Sequence, residues 1–146
     1  MKIPVLILAM LFPVFMAFAQ SEIAAEDVAI STSEKNFGTI RQGKPVTEIF
    51  FLINKGKEII KIGNIYAECG CTTPVWSQEP IAPGDSLAIE IGYNAAVPGP
   101  FRKKVEIVVE NLSQPIPVYI SGNVYEAQAT SAPVNASIVK LKSKNR

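Results

Sequence analysis

The chain is predicted to be all-β, an antiparallel sandwich of about seven strands, and three observations predict it. Apolar residues alternate with period two in several short runs, as in Ser86 to Asn94, where Leu87, Ile89, Ile91 and Tyr93 share one face and Ala88, Glu90 and Gly92 the other. Gly, Pro and Asn bound these runs at regular intervals. Beyond residue 19 no useful length of helical periodicity is present.

Residues 1–19 read as a cleaved signal peptide. Lys2 supplies a short positive region, Ile3 to Met16 is apolar with Pro4 and Pro13 inside it, and Ala17-Phe18-Ala19 is a small-x-small cleavage site before Gln20. The apolar run is shorter than the roughly 20 residues a membrane span needs. The expectation is a mature protein that begins at Gln20, is secreted or periplasmic, and has no membrane span. Residues 20–32, with Glu22, Glu26 and Asp27, read as a flexible lead-in, a short helix being the alternative.

The domain itself is expected over 33–125. Ser33 to Phe37 leads through Gly38-Thr39-Ile40 to a turn at Gln42-Gly43. Thr47 to Asn54 is a strong β run that is apolar on both sides: Phe50 and Leu52 face one way, Ile49, Phe51 and Ile53 the other. Such a run belongs at the centre of a sheet or has an outer face that meets a partner. Asn54-Lys55-Gly56-Lys57 is a turn. Ile60, Ile62, Ile65 and Ala67 alternate with a slip at Gly63-Asn64. Val75 and Trp76 form a short strand, and Pro83-Gly84 suits the centre of a type II turn. Pro98-Gly99-Pro100 breaks the chain. Phe101 to Glu110 alternates with Phe101, Val105, Ile107 and Val109 inward, and Ile116 to Tyr125 closes the series with Ile116, Val118, Ile120 and Val124 on one face. Pro117 marks an edge strand or an outward position. Residues 126–146 are a low-complexity tail, expected to be disordered, in which Ile138, Val139 and Leu141 form the one apolar group.

Composition excludes several functions. The sequence has no His, and its 3 Met residues (Met1, Met10 and Met16) all lie in the leader, so the mature chain has neither imidazole nor thioether. Losing Lys2 leaves 13 basic residues against 13 acidic ones, and that balance is unlike a nucleic-acid binder. There is no triad, phosphate-binding glycine loop or convincing carboxylate pair. No catalytic residue, cofactor or metal is expected.

The candidate chemistry lies in Cys69-Gly70-Cys71. On an extended strand, residues two apart have Cα atoms about 6.6 Å apart, twice the strand rise. A disulfide prefers about 5.5–6 Å. Gly70 has the backbone freedom to close the difference. A bridge over so short a loop adds only about 1.5 kcal/mol by chain entropy. Three readings stay open: a local disulfide, two small buried thiols at a tight turn, or a thiol-redox or soft-metal site. Trp76 beside Pro74 is either part of a recognition surface or packing at the sandwich rim. Arg102-Lys103-Lys104 divides its charge between two faces and reads as a solvated surface. Asn111-Leu112-Ser113 and Asn135-Ala136-Ser137 match the N-glycosylation pattern, which matters only in a eukaryotic host.

Phe37-Gly38-Thr39-Ile40, the Phe50–Leu52–Asn54–Gly56 alternation, Cys69-Gly70-Cys71-Thr72-Thr73-Pro74 with Trp76, Ile81-Ala82-Pro83-Gly84, Gly99-Pro100-Phe101 and Ile120-Ser121-Gly122 resemble the bacterial domain of unknown function 1573 family. The resemblance covers Ser33 to Tyr125. It implies an immunoglobulin-like sandwich of the kind found in cilia- and centrosome-associated repeats, in exported bacterial proteins, and brings no established activity. The expected function is that of an exported, non-catalytic module for protein binding or envelope assembly. Its surface is built on Ile49, Phe51, Ile53 and Trp76, and its partner is another protein or a second copy. The alternative is a thiol-redox or soft-metal protein using Cys69 and Cys71.

Overall fold

The computed structural model describes residues 22–126. The expected leader and tail, with Ile138, Val139, Leu141 and Asn135, lie outside the described residues. Eight strands follow in order: β1 (Val28–Ile30), β2 (Glu34–Arg41), β3 (Val46–Asn54), β4 (Ile62–Ala67), β5 (Thr72–Trp76), β6 (Ser86–Tyr93), β7 (Gly99–Val109) and β8 (Ile116–Tyr125). They form two four-stranded sheets, ordered β1-β3-β6-β5 and β2-β8-β7-β4. The all-β sandwich is the predicted fold, with one more strand than expected.

The core is the set of inward positions of both sheets. Phe50, Leu52, Ile89, Ile91, Val105, Ile107, Val118 and Ile120 are fully buried. The two alternations of Ser86–Asn94 and Phe101–Glu110 therefore share one core, as their periods predict. β3 runs between β1 and β6, the central place expected of a strand apolar on both faces. The slip at Gly63-Asn64 is a register shift in the β4–β7 ladder, and it keeps Ile62 and Ile65 both buried. Pro83 and Gly84 sit at the centre of the expected turn: the Asp85 N–H donates to the Ala82 carbonyl at 3.0 Å, and Gly84 takes φ 84°.

Three expectations are corrected. The lead-in is not wholly irregular: Ala25–Asp27 is a 3-10 turn, and β1 pairs antiparallel with β3, setting Val28 opposite Asn54. β3 needs a ladder partner on its open side, and three residues are too few to show a period. β2 is not antiparallel to its neighbour but runs parallel to β8, with a register shift between Asn36 and Thr39. β7 starts at Gly99, so Pro100 lies within a strand rather than in a break. Pro117 takes the second of its two expected places: β8 is central, and Pro117 is exposed and faces outward.

The strand prolines obey one rule. Tyr119 N–H donates to Ser33 at 2.8 Å, so the odd-numbered donors of β8 point toward β2, and Pro117 lies beyond where β2 begins. Lys104 exchanges hydrogen bonds with Glu68, so the even donors of β7 point toward β4, which does not reach Pro100. Pro74 sits on β5, an edge strand. Each missing donor faces a side that has no partner.

Candidate functional site

Strand parity sends Ile49, Phe51 and Ile53 to the outside of the first sheet. Ile49 is 49% and Phe51 43% exposed, and Ile53 is half-buried against β1, where it pairs with Ala29. The neighbouring strands extend this surface. Phe51 lies opposite Ala88, Ile49 opposite Glu90, and Glu90 in turn opposite Val75, which is 56% exposed. Ile49, Phe51, Ala88 and Val75 thus flank Glu90 in the register, with Thr47 and Thr73 beyond it. Val75 was missed in the sequence reading because its own strand has only five residues, and its parity becomes visible only through the β5–β6 register.

Trp76 does not join this surface. It has the parity of the buried Thr72, is half-buried, and packs against the core. Its indole Nε1 is buried without a hydrogen-bond partner. The rim-packing reading is the one its position fits.

The outside of the second sheet is different in kind. Arg102 Nε and Nη2 donate to the two oxygens of Glu34 at 3.3 and 3.2 Å, and the guanidinium lies 3.7 Å from the Tyr119 ring centroid. Ser121 Oγ donates to the same carboxylate at 3.1 Å. The hydrogen bonds from Arg102 and then Ser121 hold the Glu34 pKa below its usual value of 4.5. Lys104 pairs with Glu106 at 2.8 Å, while Lys103 faces the other way, beside Ile120. The basic run is divided and largely neutralised, as its alternation suggests.

Cys69 and Cys71 are bridged, with Cα atoms 5.2 Å apart. The bridge sets aside the reading as two free thiols and is common to a local disulfide and an oxidised exchange pair. The turn carrying it crosses from β4, an edge of the second sheet, to β5, an edge of the first. Both cysteines are half-buried. The buried Thr72 hydroxyl lies 3.8 Å from Cys69 Sγ and 4.0 Å from Cys71 Sγ. Among the described residues no three His, Cys, Asp or Glu side chains gather as a metal site, and no helix is long and apolar enough to cross a membrane.

No curated protein sequence matches the chain significantly. Solved structures share its fold at low identity. A Porphyromonas gingivalis W83 protein of unknown function is 13% identical, matching 66% of this chain and 46% of its own, with a TM-score of 0.58. The ASH/PapD-like domain 7 of human CEP192 is 12% identical, matching 70% of this chain and 87% of its own, with a TM-score of 0.60. The VesB protease of Vibrio cholerae is 13% identical, matching 67% of this chain and 32% of its own, with a TM-score of 0.59. The chain thus spans less than half of the first and a third of the last, and these likenesses show the fold alone. Residues 28–124 match the family described as "Protein of unknown function (DUF1573)", and the chain belongs to that family.

Proposed function

We propose that this protein is an exported, non-catalytic immunoglobulin-like module that works by binding another protein through the outside of its β1-β3-β6-β5 sheet. One observation carries this reading. Ile49, Phe51 and Val75 stand exposed together on a sheet face around one carboxylate, whereas the opposite outer face carries the Arg102–Glu34 and Lys104–Glu106 ion pairs between its exposed tyrosines, Tyr66 and Tyr125. A row of large side chains on an outer face contributes nothing to the sandwich core, and contiguous apolar patches of this kind mark interaction surfaces. Glu90, set between Ile49 and Val75 in register, defines the partner's chemistry: an apolar protein surface that presents a lysine or arginine. The signal-like leader supports export, and N-terminal sequencing of the mature protein is expected to return Gln20 as the first residue.

Site-specific photo-crosslinking in the native host tests the binding face. A photoreactive residue at position 51 is expected to capture a discrete protein adduct, and Glu90→Lys is expected to reduce its yield. The same probe at Asn123, exposed on the other sheet, supplies the background. Equal adduct yields at positions 51 and 123 would remove the support for this face.

A further inference from the structure

The cysteine turn takes no part in that surface, and its geometry gives it a different capability. The bridge spans a single intervening residue, with Cα atoms 5.2 Å apart. So short a loop removes little chain entropy from the unfolded state, and the bond contributes correspondingly little to holding the fold. The backbone on both sides is fixed by other means. Glu68 N–H donates to the Lys104 carbonyl at 3.1 Å, and Lys104 N–H donates to the Glu68 carboxylate at 2.9 Å. Thr72 N–H donates to the Cys69 carbonyl at 3.2 Å and Asn94 N–H to the Cys71 carbonyl at 3.0 Å. Opening the bridge therefore leaves two thiols held close together in a domain that stays folded. Both cysteines are half-buried, and of the two it is Cys71 that packs against the core, so Cys69 is the sulfur assigned to the incoming thiol.

We propose that Cys69–Cys71 is a thiol–disulfide exchange site, reduced by low-molecular-weight thiols of the glutathione class. A thiolate attacks Cys69 Sγ, forming a mixed disulfide as the Sγ–Sγ bond breaks. The electron pair departs on Cys71 Sγ, and the Thr72 hydroxyl, within 4.0 Å, stabilises that thiolate by a hydrogen bond. A second thiolate then attacks the sulfur of the bound thiol. It releases the small-molecule disulfide and leaves Cys69 as thiolate. The two cysteine thiolates take up the protons given off when the two incoming thiols ionised. Two thiols are oxidised and one bridge is reduced.

The test is to incubate the mature protein with excess reduced over oxidised glutathione. Samples are quenched by alkylation, thiols are counted by mass spectrometry, and the melting temperature of the same samples is recorded. The bridge is expected to become a dithiol under conditions that leave ribonuclease disulfides intact, with the melting temperature essentially unchanged. Cys71→Ser, treated separately with oxidised glutathione, is expected to take up one glutathione on Cys69 with release of one reduced glutathione. Thr72→Val is expected to slow exchange about threefold or more while melting like the parent. A bridge that stays closed in this buffer overturns the proposal. So does reduction that unfolds the domain, which would make the bond a structural staple. Should Cys71→Ser fail to fold, the wild-type exchange rate and melting temperature decide alone.

Discussion

Asn54 shows how much a single residue carries in this domain. It is the largest fully buried polar side chain, and every polar group it has is used. Its Nδ2 donates to the Glu58 carbonyl at 2.7 Å and the Ile81 carbonyl at 2.9 Å, and its Oδ1 accepts from Gly56 N–H at 3.0 Å. Its backbone exchanges hydrogen bonds with Asp85 and Gly84, tying the end of β3 to the turn before β6. Asn54→Ala removes three side-chain hydrogen bonds, one buried and two part-buried, and is expected to cost about 2–4 kcal/mol in urea unfolding. In the sequence Asn54 shows as the end of the β3 alternation and a turn opener; its link to the Ile81 carbonyl was not visible there, because that partner lies 27 residues away. Glu34 gives a pH-dependent check. Its pKa is lower folded than unfolded, so its contribution is present above the unfolded value and is lost as pH falls through the folded one. Arg102→Leu is expected to reduce that acid dependence, measured as unfolding midpoint against pH, with the Ser121 hydrogen bond remaining; because the group is fully exposed, the effect is small.

At the scale of elements, the longer strands were legible because each carries several repeats of its period. The alternation in β6 and β7 predicts which side chains meet, and Ile89 and Ile107 are both fully buried. Ile89→Ala and Ile107→Ala are each expected to destabilise by about 2–5 kcal/mol in chemical denaturation. A loss below about 0.5 kcal/mol at both would mean they occupy surface positions. The slip at Gly63-Asn64 was equally legible, since only a bulge lets both Ile62 and Ile65 face inward. Pairing direction was not. Nothing in Glu34–Arg41 itself distinguishes a parallel from an antiparallel neighbour, because that depends on the path by which the chain reaches β8. β1 was hidden by its three-residue length, and the strand role of Thr72–Pro74 by the proline within it.

At the scale of the molecule, the two outer faces set the functional reading. One is apolar around Glu90; the other pairs Glu34 with Arg102 and Glu106 with Lys104. The Ile49–Phe51–Ile53 side was legible in the sequence because β3 is apolar at both parities, but its extension by Val75 and the inward turn of Trp76 depend on the β5–β6 register. The disulfide lies at the crossing between sheet edges, away from Phe51 in chain and register, so exchange at the bridge and binding at the face are separable by mutation. The most direct test is the Phe51→Thr/Ile53→Thr double variant. Its melting is measured on the purified mature domain, and its complex size by sedimentation of gently solubilised host envelopes. Threonine keeps the strand preference, so the domain is expected to melt close to the parent while sedimenting as the free monomer instead of in a complex. An unfolded variant, or one that sediments with the same complex as the parent, would contradict an interaction surface on this sheet.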